Sequence, residues 1–235
     1  MKKIKLFLCI YLLANLSVLA QDKCSKFYPI NDNASFTHTI YDKEPADGGV
    51  EQGKVTYSVN EVLQDSAVYT VTIKTFVEDL GREMEMNSQF GIKCTDAGVE
   101  MGFAQMGAGM MGRFNNAKIT GNNIYVPNEL SLDQTLPDAE MKVSTSAGPT
   151  RINMTRKMMN RKVLDRKENI EIDGNSLECY VLTYDVEMNM GSTGMIFTTK
   201  TKQWLYEGLG TIKSKEWDKD GNLTGVTILT SYRLN

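Results

Sequence analysis

The chain has 235 residues, with 26 Lys and Arg against 29 Asp and Glu, a formal net charge of −3. That mildly acidic balance argues against sequence-independent nucleic-acid binding, so no nucleic-acid partner is expected. One histidine and four cysteines, with no Cys-x-x-Cys pair, argue against a Cys/His zinc site, and no metal or other cofactor is expected.

The N-terminus places Lys2, Lys3 and Lys5 before the apolar run Leu6–Ala20, which closes on Val18-Leu19-Ala20. A basic start, a short apolar stretch and small residues before the cut describe a signal peptide, residues 1–20, with cleavage before Gln21. The run is short for a membrane span, and no later stretch is longer, so no stable membrane span is expected. Residues 21–235 are then one exported domain, periplasmic or extracellular. Loss of the three lysines lowers the formal charge from −3 to −6. Cys24, Cys94 and Cys179 remain, and export brings them into an oxidising compartment. Three single pairings exist. Cys24–Cys94 is favoured because both lie in polar surroundings at the edges of strand-like segments. Cys179 lies inside the apolar pattern Leu177–Leu182 and reads as a small buried hydrophobe.

Gln21–Asn33 is a polar leader containing Phe27-Tyr28-Pro29. Ser35–Tyr41 alternates and is rich in β-branched and aromatic residues, the mark of a strand. Asp42–Gly53 is a loop by its acids, Pro45 and glycines. Lys54–Leu63 and Ala67–Val77 read as paired strands, and Glu83–Cys94 follows with Met84, Met86 and Phe90 on one parity. Val99–Phe114 then breaks the pattern with four methionines and four glycines. Met106, Met110 and Phe114 fall at helical spacing, but Gly107, Gly109 and Gly112 each cost a helix about 1 kcal/mol relative to alanine. A frayed helix and a loop stay open for this stretch.

Lys118–Val126 carries Gly121-Asn122-Asn123, a hairpin-like turn, and Pro127–Pro137 is a loop with Leu130, Leu132 and Leu136 turned inward. Ala139–Ser146 is a strand. Arg151–Lys167 holds seven Arg and Lys. Its apolar residues, Met154, Met158, Met159, Val163 and Leu164, follow a mixed period. A strand with a solvated basic face is preferred over a helix. Leu177–Met190 shows Tyr180, Leu182, Tyr184 and Val186 on one face, and Met195–Thr201 returns. Trp204–Trp217 and Leu223–Leu234 close the chain around Asp220-Gly221, a strong hairpin signal.

The fold class is therefore mainly β: a single curved antiparallel sheet or half-barrel of about ten strands, with at most one or two short helices.

The segment Glu168–Leu182, with a small-residue turn leading into Leu177-Glu178-Cys179-Tyr180, resembles a strand–turn–strand element of secreted bacterial proteins. Trp204–Lys213 with the Asp220-Gly221 hairpin resembles their closing pair. With Cys24 and Phe27-Tyr28-Pro29 at the start, the chain is similar to the TapB-like exported proteins of Gram-negative bacteria. The resemblance implies a curved antiparallel half-barrel, related in shape to periplasmic lipoprotein carriers. It implies no catalytic residues.

Nor do the residues point to catalysis. His38 lies mid-strand between two threonines and reads as an exposed strand histidine, and there is no Gly-x-Ser-x-Gly elbow. Asp218-x-Asp220-x-Asn222 has its glycine where a hairpin turn wants it and not where a calcium loop does. The expected role is non-enzymatic: a cell-envelope protein whose curved sheet offers an apolar face to a lipid-like ligand or a protein segment. Met101, Phe103, Met106, Met110, Met111 and Phe114 are the candidate lining, forming a flap over that face, with Met188 and Met190 opposite. Two other readings stay open. One is an envelope structural or interaction module with a fully packed core. The other is Cu(I) binding by the Met-x-Met pairs, since thioethers suit that ion.

Overall fold

The computed structural model describes residues 24–234 apart from 64, 78–81, 103–117, 148–149, 173 and 192. Its strands are β1 (Ser35–Tyr41), β2 (Glu51–Val62), β3 (Ser66–Val77), β4 (Arg82–Thr95), β5 (Gly98–Met101), β6 (Lys118–Gly121) and β7 (Ile124–Pro127). They continue with β8 (Ala139–Ala147), β9 (Thr150–Ile172), β10 (Asn175–Met190), β11 (Met195–Tyr206), β12 (Gly210–Trp217) and β13 (Leu223–Arg233). All thirteen belong to one antiparallel sheet in the order β6-β8-β9-β10-β11-β12-β13-β1-β2-β3-β4-β5-β7. The mainly β reading holds, with thirteen strands in place of about ten. The one helical element among the described residues is a 3-10 turn, Pro45–Asp47.

Two strand expectations need correction. Trp204–Trp217 is not one strand. β11 runs through to Tyr206, and β12 starts at Gly210. Gly208 and Gly210 take φ of +78° and +73°, left-handed conformations that turn the chain there. Nor is Gly121-Asn122-Asn123 a hairpin turn. β6 pairs with β8 and β7 pairs with β5, at opposite ends of the strand order.

That second correction sets the shape of the molecule. Only Asn122 and Asn123 separate the two edge strands. Three Cα steps of ~3.8 Å bring the edges within about 11 Å of each other. Asn122 bonds to the β8 side, its N–H donating to Glu140 O at 3.0 Å and its Oδ1 accepting from Glu140 N at 2.6 Å. Asn123 bonds to the β5 side, through Nδ2 to Glu100 Oε2 at 3.2 Å. The sheet is open in its ladder, but it curls until its edges meet at this seam.

The leader crosses the inside of one end. Lys26 N–H donates to Asn128 Oδ1 at 2.9 Å, and Lys26 O accepts from Gly208 N–H at 2.9 Å. Cys24 is disulfide-bonded to Cys94 on β4, with 5.1 Å between Cα atoms. Phe27 is 1% exposed and meets Tyr180 edge-on at 5.8 Å. The leader is thereby fastened to both halves of the curled sheet.

Beneath it lies a core of Val59, Tyr69, Phe90, Val126, Leu182 and Leu205 with their neighbours. Burying each such side chain contributes about 1.5–3 kcal/mol. Leu130 and Leu136 join this core, but Leu132 is 47% exposed and does not turn inward.

The outer surface of β10–β12 is sealed differently. Trp204, on the face of β11 opposite cavity-lining Gln203, is buried, its Nε1 donating to Glu168 Oε2 at 2.9 Å. Lys202 stands over the indole at 4.7 Å and bonds the same carboxylate at 2.9 Å. Free Cys179 is fully buried, and burial pushes its thiol up to about 11.

Candidate functional site

The curled sheet surrounds a cavity of about 340 Å³ that opens to solvent on one side. Phe36, Phe90, Ile92, Met101, Ile124 and Val126 are among its apolar walls, supplied by β1, β4, β5 and β7. Polar groups form a belt across it: Arg161 from β9, Tyr28 from the leader, Thr211 from β12, Gln203 from β11 and His38 from β1. Toward the outside, the lining includes half-buried Arg156 and Ser214 and exposed Glu216. A separate hollow lies on the seam over Glu100, Asn122, Asn123 and Tyr125. It lacks the apolar wall and the buried polar groups.

Arg161 is inside because β9 bulges. Met159 faces Asp185 and Lys162 faces Thr183, so β9 carries one residue more than β10 between these pairs. The extra residue is Asn160, at φ +55°, with its Nδ2 donating to Asp185 Oδ2 at 2.7 Å. Asparagine tolerates the left-handed region better than most residues. The bulge shifts parity: Arg156 and Met158 line the cavity before it, Arg161 after it. Arg161 is 3% exposed. Its Nη1 donates to Pro137 O at 2.6 Å and its Nη2 to Tyr125 O at 3.1 Å, tying β9 to the seam strand β7. Its Nε is buried with no hydrogen-bond partner. Burial lowers its pKa, an effect opposed by the nearby Tyr28, Tyr184 and Asp138.

His38 is 6% exposed, which corrects the expectation of an exposed strand histidine. The β1 alternation that hides Phe36 hides it too, because both face the interior. Nε2 lies 2.7 Å from Thr211 O and must donate to that carbonyl, so Nδ1 is left as an acceptor. Nδ1 is buried and unpartnered. Burial holds the imidazole below its ordinary 6.5, against the Thr211 contact, so the ring is neutral at pH 7. Tyr57 meets it edge-on at 5.6 Å.

The tyrosines around the cavity are neutral phenols. Burial pushes Tyr28 up to about 12, against the Thr211 hydrogen bond and the Arg161 charge. Burial also raises Tyr57, Tyr69 and Tyr184. Tyr69 donates its hydroxyl to Pro29 O and so pins the leader. The site is thus an apolar hollow crossed by neutral donors and acceptors and one deeply buried cation. Such a surface can hold an elongated apolar molecule and fix its polar end.

Of the residues expected to form the lining, Met101 is in the cavity wall and 8% exposed. Phe103, Met106, Met110, Met111 and Phe114, and with them the flap, lie outside the described residues. Met188 and Met190 are half-buried near the end of β10, opposite Phe197 and Met195 of β11, and are not among the cavity's lining residues. Sequence reasoning missed Arg161, which it placed on a solvated basic face. The mixed period of Met158, Met159, Val163 and Leu164 was the trace of the bulges that turn it inward.

No group of three or more His, Cys, Asp and Glu side chains is arranged to hold a metal among the described residues. Asp218 is occupied within its own turn, accepting from the N–H groups of Asp220 and Asn222 at 2.9 Å each. No helix among the described residues is long and apolar enough to cross a membrane.

Comparison with solved structures finds two similar folds. A Bacteroides fragilis protein described as exported, with a YmcC-like fold, matches at a TM-score of 0.66 and 14% identity, over 89% of this chain and 100% of its own. A Parabacteroides distasonis protein described as a lipoprotein matches at 0.67 and 17% identity, over 90% and 100%. These likenesses establish the shared fold. Comparison with curated proteins returns no match. The family match does not carry the narrower TapB-like name. It spans residues 32–229, and by it the chain belongs to the DUF3108-like family.

Proposed function

We propose that the protein is a non-enzymatic component of the cell envelope that holds a lipid-like molecule inside its curled sheet. Residues 1–20 direct export and are removed, and the domain acts in the periplasm or outside the cell. The observation that carries this reading is the cavity itself. An inner sheet face built only for stability would close over its apolar residues and leave no hollow of this size among them. Here about 340 Å³ stays open between an apolar wall and a polar belt. Apolar walls with a few convergent polar groups are the usual make-up of a small-molecule site.

The test is native mass spectrometry of the purified protein, paired with binding of a hydrophobic fluorescent dye. A co-purifying amphiphile, or saturable dye binding that added lipid displaces, is the expected result. Protein of bare polypeptide mass that binds no dye contradicts the reading.

A second reading, an envelope interaction module, is favoured by one other observation. Met195, Ile196 and Phe197 are 50%, 59% and 53% exposed at the start of β11. The β12 ladder begins only at Lys200, so among the described residues this stretch has no partner on that side. Exposed, unpaired, apolar strand edges recruit other chains. Ile196→Lys with Phe197→Lys distinguishes the two readings: it abolishes association in the second and leaves ligand binding intact in the first.

A further inference from the structure

We infer that the ligand is an acidic amphiphile, its carboxylate or phosphate met by Arg161 and its chain laid along the apolar wall. The inference rests on the cavity reading and specifies the chemistry of that site.

Arg161 is a cation buried to 97% in a chamber lined mainly by phenols, hydroxyls, amides and hydrocarbon, with the His38 imidazole beside them and half-buried Arg156 and exposed Glu216 toward the outside. Guanidinium stays protonated at any physiological pH. A buried charge is costly unless an opposite charge answers it. The two acceptors it has, Tyr125 O and Pro137 O, are neutral carbonyls. No carboxylate pairs with it among the described residues. Asp138 influences it only at longer range. Glu216, the one carboxylate in the lining, is solvent-exposed. One of its three nitrogens, Nε, is buried with no acceptor for its N–H, and the residue lines the cavity.

Two neighbours extend the recognition. Tyr28 lies close enough to Arg161 for the two to perturb each other's titration. It also bonds to Thr211, whose carbonyl fixes the His38 tautomer. The unpartnered His38 Nδ1 is an acceptor, suited to a hydroxyl on the ligand. Anion at one end of the belt and hydroxyl at the other would satisfy both orphaned atoms.

The experiment uses the purified mature chain, residues 21–235, stripped of bound lipid and titrated at pH 7 with four probes of equal chain length: dodecanoate, dodecyl phosphate, dodecanol and dodecyltrimethylammonium. One charge-assisted contact predicts that an anion binds at least about tenfold tighter than dodecanol. The cation should bind weakest. The better of the two anions names the headgroup. Dodecanol binding as tightly as both anions overturns the inference and leaves the cavity reading standing. Failure of all four probes to bind overturns both. Arg161→Gln should level the series and Arg161→Lys should keep the anion preference. An Arg161→Gln protein that folds and still prefers anions contradicts the assignment. If that variant does not fold, the wild-type series decides alone.

Discussion

Arg161 reaches the cavity through one residue of irregularity, Asn160, and sits where a regular strand would put it in water. Glu44 shows the same local economy on the outer surface. It accepts from Lys213 Nζ at 2.9 Å and also pairs with Lys215. Burial alone would raise its pKa, but the two lysine hydrogen bonds outweigh burial and hold it below 4.5. Glu168 behaves likewise. Burial raises it, while Lys202 and Trp204 pull it lower by more. Both carboxylates therefore have folded pKa values below their unfolded ones. Their contribution is fully present above the unfolded value and is lost as pH falls through the folded one. Urea melts between pH 7 and pH 3 should show stability falling below about pH 4.5, the ordinary value these shifts start from. A Glu44→Gln, Glu168→Gln protein should be less stable at pH 7 and show a shallower loss. An unchanged slope would show that neither carboxylate is coupled to folding.

At the scale of elements, the seam between β6 and β7 is the feature on which the enclosure depends. Gly121 has φ +146°, and a Cβ there would lie 1.9 Å from Glu140 O. Neither the backbone angle nor the space suits any other residue. Gly121→Ala should cost about 2 kcal/mol or more. Amide exchange should rise first in β6, β8 and β7; uniform protection would contradict the seam. Much of the strand pattern was legible in the sequence. Ser35–Tyr41, Ala67–Val77 and Leu177–Met190 carry the alternation that a one-sided core imposes. The seam was not legible. Gly121-Asn122-Asn123 looks the same locally whether its strands pair with each other or with opposite edges, and only the global curl decides. Buried His38 was hidden for a related reason. A histidine between threonines reads as a wet face until the other side of the sheet is known to close over it. Arg161 was hidden because charge suggested solvent, while the broken period that betrayed the bulge looked like helix–strand ambiguity.

For the molecule as a whole, the leader and the disulfide hold one end of the curled sheet shut. Cys24 and Cys94 are 70 residues apart in sequence. Closing a loop of that length in the unfolded chain stabilises the fold by about 4 kcal/mol in the chain-entropy account. Cys24→Ala with Cys94→Ala should lower the denaturant midpoint accordingly, and it should loosen Phe27 and Tyr28 at the cavity's end. A loss well under 1 kcal/mol would show the leader to be held by its other contacts alone. The DUF3108-like match and the two similar folds concern this same scale, since they span nearly the whole sheet.

The cavity inside the curled sheet is the centre of the account, and filling it is the most direct test. Thr227 lines the cavity on β13, opposite Ile40 and Ser214, and is half-buried. Titration of lipid-stripped protein with dodecanoate should saturate at one molecule per chain, and Thr227→Trp should abolish that binding while the protein melts as a single cooperative unit. Dodecanoate bound equally well by wild type and a folded Thr227→Trp protein would place the ligand elsewhere and contradict the account.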